Sequence, residues 1–234
     1  MAEATDTQGA RSLRRRLGRG IRRAFVAIAL AVVFAVVVLR WVNPPPTWLM
    51  ASEWWRLGAI EREWVALERM APGLPLAAVA AEDANFCRHN GFDFDGIREA
   101  LSDTRRLRGG STISQQVAKN VFLWPERSWV RKGLEAGFTV LIEVAWPKAR
   151  VVEVYLNVAE FDEGVFGVEA AARRYFGVGA EAVTPVQAAR LMAVLPDPKR
   201  RSPVSGTAFI RDRGNAIARG AETIRADGRA ACFL

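Results

Sequence analysis

The chain has 234 residues, half of them hydrophobic, with 33 basic and 25 acidic residues and a formal net charge of +8. Residues 1–23 carry seven arginines against two acids, so most of the excess charge belongs to an N-terminal tail, and charge gives little support for nucleic-acid binding. The two cysteines, Cys87 and Cys232, allow one disulfide that their spacing does not require. With a single histidine, the sequence has no Cys/His cluster of zinc-site spacing.

An uncharged apolar run of 16 residues, from Ala24 to Leu39, follows the arginines. As a helix it spans about 24 Å, slightly less than the ~30 Å hydrocarbon core of a bilayer. A cleaved signal peptide would be followed by small residues, whereas Arg40 and Trp41 are bulky. A buried core helix would not normally carry seven arginines on one flank. We therefore predict a single membrane anchor, with the arginines in the cytoplasm and everything after Trp41 outside.

Pro44-Pro45-Pro46 follows the anchor and predicts a stiff break in the chain. Four tryptophans come soon after it, and they suit either a membrane interface or ordinary amphipathic packing onto the domain. These tryptophans are Trp48, Trp54, Trp55 and Trp64.

Helical patterns dominate the rest of the chain, and we find no convincing alternating strands, so the domain should be mainly α. A loop with a helix N-cap is predicted at Ser111-Thr112. Residues 128–145 carry an apolar stripe at helical spacing, typical of a helix packed along one face, with Lys132 and Glu135 off that stripe. Residues 201–234 are basic and mixed and give no prediction. Helices are predicted at residues 74–81, 128–145, 148–159, 168–175 and 185–195.

Several side chains could carry chemistry. Glu82 ends an apolar helix, where desolvation would raise the pKa of its carboxyl and make it a better base; the alternative is a solvated helix end. The turn Gly109-Gly110-Ser111-Thr112 leaves backbone N–H groups free for an anion. His89 suits a hydrogen-bonded structural role better than a catalytic one.

Four cations follow that turn and could face a phosphate-bearing leaving group. They are Lys119, Arg127, Arg131 and Lys132. Arg131, Lys132 and Glu135 share one helix face, and the alternative for them is a surface ion pair worth a few tenths of a kcal/mol.

Five blocks of residues follow one another along the chain. They are Glu82-Asp83…Phe86…His89…Gly91…Asp93, Gly109-Gly110-Ser111-Thr112-Ile113…Gln115-Gln116…Lys119-Asn120, Arg131-Lys132…Glu135, Lys148…Glu153…Tyr155-Leu156-Asn157, and Gly164-Val165-Phe166-Gly167 with Ala170-Ala171 and Tyr175-Phe176. Together they resemble the family-51 peptidoglycan glycosyltransferases, and more narrowly the monofunctional biosynthetic peptidoglycan transglycosylases of bacteria. The resemblance covers residues 60–200, and Ser114 stands where threonine is usual in that family.

The resemblance implies a lysozyme-like helical glycosyltransferase domain with a smaller membrane-facing lobe, preceded by one transmembrane helix. The implied organisation is a cytoplasmic basic tail at 1–23, an anchor at 24–42, a juxtamembrane linker at 43–59, the glycosyltransferase domain at 60–200 and a C-terminal extension at 201–234. The implied location is the bacterial inner membrane, crossed once, with the N-terminus in the cytoplasm and the catalytic domain in the periplasm.

The resemblance also implies the reaction. The growing undecaprenyl-diphosphate-linked glycan would be transferred to the 4-hydroxyl of lipid II, forming β-1,4 links with inversion and releasing undecaprenyl diphosphate. By that analogy Glu82 is the general base, and Glu135 assists at the donor diphosphate, directly or through a cation. The other implied roles are neutralisation of the departing diphosphate by Lys119, Arg127 and Lys132, and binding at the donor site by Asp83, Ser111 and Gln116, with Arg131 as a further substrate-binding cation.

No cofactor is expected to be required, and a divalent cation, Mg²⁺ or Mn²⁺, at the donor diphosphate is left open. The expected partners are lipid II, the nascent glycan strand and the membrane, with cell division or elongation proteins as further candidates and no nucleic acid. Two alternatives stay open: a lysozyme-like lytic enzyme and a catalytically inactive membrane-anchored scaffold. The sequence contains no Ser-x-x-Lys, so transpeptidase activity is not expected.

Overall fold

A computed structural model of the chain describes residues 3–94, 96, 98 and 110–234. This part of the chain is mainly helical, which confirms the predicted fold class. The helices, numbered here in chain order, are α1 (Glu3–Val38), α2 (Trp48–Leu57), α3 (Gly73–Glu82), α4 (Ile113–Phe122), α5 (Trp129–Ala145), α6 (Lys148–Val158), α7 (Val168–Phe176), α8 (Pro185–Val194) and α9 (Ala208–Ala226).

The chain divides after Val42 into two units, residues 1–42 and residues 43–234. The first unit is dominated by α1. Within it, Arg16–Val38 is 23 residues long and apolar enough to cross a membrane, and it is the one such helix in the described part of the chain. The arginine-rich segment and the apolar run lie on the same continuous helix, so no break in secondary structure separates the tail from the predicted anchor.

The second unit contains all five of the helices predicted by number, and each observed helix matches its prediction to within one residue at either end. Local capping explains this agreement. The Ser128 side chain accepts a hydrogen bond from the backbone N–H of Arg131 and so begins α5. Thr184 forms a capping box with Gln187 and, with Pro185 in the first turn, begins α8.

Helix α6 lies at the centre of this unit, and both α3 and α4 pack against it. The core positions of α6 are nearly inaccessible to solvent on every side, as expected for a central helix. Helices α8 and α9 pack on α3, whereas α5 packs on α4. Helices α3 and α4 thus share α6 as a packing partner.

The apolar stripe predicted on α5 is not its buried face in the first half of the helix. Val130 is 70% exposed and Leu134 is 43% exposed, while the buried positions are Arg131, Glu135, Thr139 and Ile142. Only the later part of the stripe packs, with the Phe138 ring stacked on Phe122 of α4 at 4.6 Å between centroids. A polar helix face is thus turned inward, because its charged groups satisfy one another there.

Helix α2 was not predicted, and neither were two further elements of this unit. The first is a small sheet of order β1-β3-β2, with β1 (Glu61–Arg62) parallel to β3 (Val165–Phe166) and β2 (Glu160–Asp162) antiparallel to β3. Its strands are too short for alternation to be visible in the sequence. The second is α9, whose packing on α3 and α8 ties the C-terminal segment to the rest of the unit.

Candidate active site

Glu82 is the last residue of α3, and its carboxylate points to α4. Its Oε2 accepts a hydrogen bond from Gln116 Nε2 at 2.9 Å. Burial raises the pKa of the Glu82 carboxyl; the Gln116 hydrogen bond and the charges of Arg213 and Lys119 act in the opposite direction, and Asp83 adds to the rise. A carboxylate with this environment is suited to accept a proton.

Asp83 is buried directly behind Glu82, and both of its carboxylate oxygens have partners. Oδ2 accepts from the backbone N–H of Ile113 at 3.0 Å, and Oδ1 lies 2.8 Å from His89 Nε2. His89 Nδ1 accepts from the Gly91 N–H, so its Nε2 carries the proton and donates to Asp83. Asp83 and His89 thus join the loop after α3 to the start of α4, and substrate binding by Asp83 stays a prediction.

Helix α4 begins at the predicted cap. Thr112 and Gln115 form a capping box, and Thr112 Oγ1 also donates to the Gly91 carbonyl at 2.7 Å. Ser111 lies immediately before the cap and is partly exposed. Gly109, the first residue of the predicted anion-binding turn, lies outside the described residues, so that prediction stands only for Gly110 onward.

Gly91 must be a glycine for two reasons. Its φ is +89°, and a Cβ there would lie 2.6 Å from Thr139 Cγ2 of α5. The loop after α3 therefore approaches α5 as well as α4.

Glu135 lies on the buried face of α5 and is only 3% exposed. Its Oε2 accepts from Arg131 Nη1 at 3.0 Å, and its Oε1 accepts from Lys132 Nζ. The Arg131 side chain is 9% exposed, whereas that of Lys132 is 45% exposed. The group is therefore a buried ion pair with one cation reaching solvent, which contradicts the surface-pair alternative.

Lys119 connects the two carboxylates electrostatically. Burial lowers the pKa of the Lys119 ammonium, while the charges of Glu135 and Glu82 raise it and those of Arg131 and Arg127 lower it further. The charge of Lys119 therefore interacts with the charges of both carboxylates and both arginines. Arg127 itself is exposed in the loop between α4 and α5.

The residues around Glu135 do not fit a divalent cation as they stand. Both oxygens of this carboxylate already accept hydrogen bonds from cationic side chains. Within residues 3–94, 96, 98 and 110–234, no group of three or more His, Cys, Asp or Glu side chains could hold a metal ion. We therefore derive no step through a metal, and the open question of Mg²⁺ or Mn²⁺ stays a prediction.

Three features beside the site were not predicted as functional. Arg213 of α9 brings a positive charge close to Glu82. Tyr155 of α6 is buried near the same carboxylate, which adds to the rise that burial causes in its own pKa. Ser114, at a position usually held by threonine, donates its hydroxyl to Glu143, which also binds Lys148 Nζ at 2.9 Å. The sequence offers only one signal for Arg213, its position in a segment of helical spacing. That signal does not show that Arg213 lies near Glu82.

A disulfide also joins the loop after α3 to the segment after α9. Cys87 and Cys232 form a disulfide, with Cα atoms 5.7 Å apart and a sequence separation of 145. The sequence left this pairing open, because two cysteines alone carry no spacing signal.

Comparison with known proteins gives consistent results. Residues 51–222 match the profile of the family described as Transglycosylase. A biosynthetic peptidoglycan transglycosylase of Jannaschia sp. is 51% identical over 224 residues, covering 96% of this chain and 93% of the relative. Proteins of the same description from Rhodospirillum centenum and Caulobacter vibrioides are 49% and 44% identical, covering 94% and 95% of this chain and 96% and 98% of their own lengths.

Proposed function

Since the chain belongs to the transglycosylase family and is a peptidoglycan glycosyltransferase of cell-wall synthesis, we propose that it polymerises lipid II into glycan strands. The lipid-linked growing strand is the donor and the 4-hydroxyl of lipid II is the acceptor. The products are a strand longer by one β-1,4-linked disaccharide, with inversion at the donor carbon, and undecaprenyl diphosphate.

The observation that carries this proposal is that Glu82 bonds Gln116 of α4, while the charge of Lys119, one turn further along α4, interacts with both Glu82 and Glu135. Lys119 is partly buried, and its charge interacts with Glu82, Glu135, Arg131 and Arg127, so it belongs to one charged cluster built from α3, α4, α5 and the loop between α4 and α5. A base on one side and cations on the other suit a reaction that takes a proton from one substrate and releases a diphosphate from the other.

Glu82 acts as the base in this scheme. It takes the proton of the acceptor 4-hydroxyl as that oxygen bonds to the donor anomeric carbon, and the bond from that carbon to the diphosphate oxygen breaks. The raised pKa of the Glu82 carboxyl strengthens it as a base, and the Gln116 amide holds it in place.

The departing diphosphate carries its charge into the cationic side of the site. Lys119, Arg127 and Lys132 neutralise it there, and Ser111 and Gln116 bind the donor. Glu135 acts through its two cationic partners, because both of its oxygens are already engaged. It keeps Arg131 and Lys132 on the same side of α5, facing the leaving group.

The arrangement along the chain supports a membrane-bound enzyme whose catalytic unit lies outside the cytoplasm. The arginines before the apolar helix favour a cytoplasmic N-terminus. The disulfide is independent support, since such bonds persist in the periplasm and are rare in the cytoplasm. Trp48 and Trp55 of α2 are 63% and 86% exposed, which suits contact with the membrane interface that holds the lipid substrate.

The test is polymerisation of labelled lipid II by the detergent-solubilised full chain, compared with Glu82→Gln. The glutamine keeps an oxygen for Gln116 but cannot take a proton, so we expect kcat to fall by about 10²–10⁴-fold with little change in folding. Glu222→Gln is the matched control, since Glu222 is exposed and pairs only with Arg225 on the surface of α9 in the described structure. Polymer from Glu82→Gln at the wild-type rate would move the base elsewhere.

The same preparations separate the alternatives. A lytic enzyme would release soluble fragments from purified peptidoglycan and would not need a lipid diphosphate donor. An inactive scaffold would give neither polymer nor fragments from well-folded wild-type protein. The cluster of cations favours synthesis over hydrolysis, because hydrolysis of a glycan produces no diphosphate.

A further inference from the structure

The C-terminal tail, residues 227–234, holds the loop that follows Glu82. Three contacts made by side chains of the tail reach this loop. Cys232 is bonded to Cys87, Arg229 Nη1 donates to the Ala84 carbonyl at 3.1 Å, and the Phe233 ring lies 6.2 Å from the Phe86 ring. All three fall within the segment 84–87, between the carboxylates of Glu82 and Asp83 and the side chain of His89.

The loop has little regular structure of its own to hold it. It contains one turn of 3-10 helix, Phe86–Arg88, and such short turns have weak hydrogen-bond geometry. Its anchor is Phe86, which is fully buried among His89, Lys148 and Phe233. Phe233 is therefore one wall of the pocket that keeps the loop in place.

The loop in turn fixes the start of α4. Asp83 accepts the Ile113 N–H, and the Gly91 carbonyl accepts the Thr112 hydroxyl. Gln116 and Lys119 lie on the first turns of that helix. A shift of the loop would thus move the amide and the ammonium that surround Glu82.

We propose that the tail is a positioning element of the active site, in which Arg229, Cys232 and Phe233 set the geometry of Glu82 against Gln116 and Lys119. The proposal rests on the proposed function, because positioning is defined by the polymerisation step. The tail touches no reacting atom in this scheme; it acts through the loop and α4. Its residues lie outside the segment that matches the family profile, which ends at residue 222.

The experiment compares the oxidised full chain with the same chain treated with a phosphine reductant and with the double variant Cys87→Ser/Cys232→Ser. The phosphine takes its oxygen from water and becomes the phosphine oxide, while the disulfide accepts two electrons and the two protons of that water and becomes two thiols. Rates of lipid II polymerisation are measured well below the unfolding temperature. We expect kcat to fall by between about tenfold and a hundredfold in both, with KM nearly unchanged, because a displacement of about 1 Å suffices for such losses.

The pH profile separates positioning from simple stabilisation. Gln116 and Lys119 both hold the pKa of Glu82 down, so loosening α4 should move the acid limb of the profile of kcat/KM to higher pH. The double variant should not respond to the reductant, and reoxidation should restore the wild type. Should the double variant fail to fold, Phe233→Ala keeps the bridge and is expected to show the same shift, smaller in size.

Two results would overturn the proposal. One is a reduced chain and a double variant that lose thermal stability yet keep wild-type kcat and an unchanged pH profile. The other is an oxidised wild type that makes no polymer, which would remove the proposed function and this proposal with it. Because only the second result affects the untreated wild type, the two failures are distinguishable.

Discussion

The two carboxylates of the site are held in opposite ways. Glu82 ends a helix, has one neutral hydrogen-bond donor in Gln116, and has a pKa raised by burial. Glu135 lies within a helix and accepts from two cations, Arg131 and Lys132. The first carboxylate keeps capacity to bind a proton, whereas the second has its charge compensated by its neighbours.

Because their partners differ, two acidic residues in one site need not share a role. A base needs an environment in which the protonated form is accessible near the working pH. A residue that orients cations needs to stay charged and paired. The same side chain serves both purposes because its surroundings, and not its identity, set its proton affinity.

The largest effect on stability is expected from Glu135→Ala. Removing this carboxylate leaves the buried Arg131 guanidinium without its partner, so the free energy of unfolding should fall by about 3–5 kcal/mol. The measurement is urea unfolding of the full chain in detergent, followed by circular dichroism.

Glu82→Gln is the matched comparison. A carboxyl whose pKa is raised on folding binds more protons in the folded state, so its contribution to stability falls as pH rises through that raised pKa. Glu82→Gln should therefore be at least as stable as the wild type at neutral pH. Equal losses for both variants would show that the two carboxylates are not held differently.

Arg213→Gln should affect Glu82 without changing the polymerisation scheme. Loss of this charge removes one of the groups that keep the pKa of Glu82 down, the others being Gln116 and Lys119. The base would then be protonated at higher pH, so the acid limb of the profile of kcat/KM should move upward. Activity at alkaline pH should change less than activity at acidic pH.

The control for that prediction is Arg225→Gln, an exposed arginine of the same helix paired with Glu222. It should leave the pH profile unchanged. An unmoved acid limb in Arg213→Gln would mean that its charge does not reach the base in solution.

The smallest effect on stability is expected from Lys132→Gln. Its side chain is 45% exposed, so its pair with Glu135 is screened by solvent and should contribute less than about 1 kcal/mol. Polymerisation should nevertheless slow, because one cation facing the leaving diphosphate is lost. A large stability loss here would place Lys132, and not Arg131, as the main partner of Glu135.

Local signals explain which parts of the fold could be predicted from the sequence. Helical spacing of apolar residues and the prolines at helix ends predicted α5 and α8 to within one residue, and the hydroxyl caps of Ser128 and Thr184 begin them in the structure. Helix α9 was missed although it carries a regular pattern, because its buried large apolar residues are only Ile210, Ile217 and Ile224, with small and charged residues between them. The apolar stripe of α5 predicted the wrong buried face for the first half of that helix. Sequence periodicity does not show that a charged face can be buried when its charges pair.

The site was predictable as a set of residues but not as an arrangement. The ordered blocks supplied Glu82, Lys119 and Glu135, but not the two hydrogen bonds that engage Asp83. Arg213 and Cys232 come from far along the chain, and only tertiary packing brings Arg213 near Glu82 and joins Cys232 to Cys87. Their roles, like those of the other site residues, stay predictions until the variants are measured.

The disulfide also has a consequence for the timing of folding in a newly synthesised chain. The bond cannot close until Cys232, which lies 145 positions after Cys87, has been synthesised. At about 5–20 residues per second, this delay is roughly 7–30 s. During that interval the C-terminal tail has no covalent link to the loop after Glu82, so under the proposed role of the tail an oxidant would set when a new copy reaches its full rate.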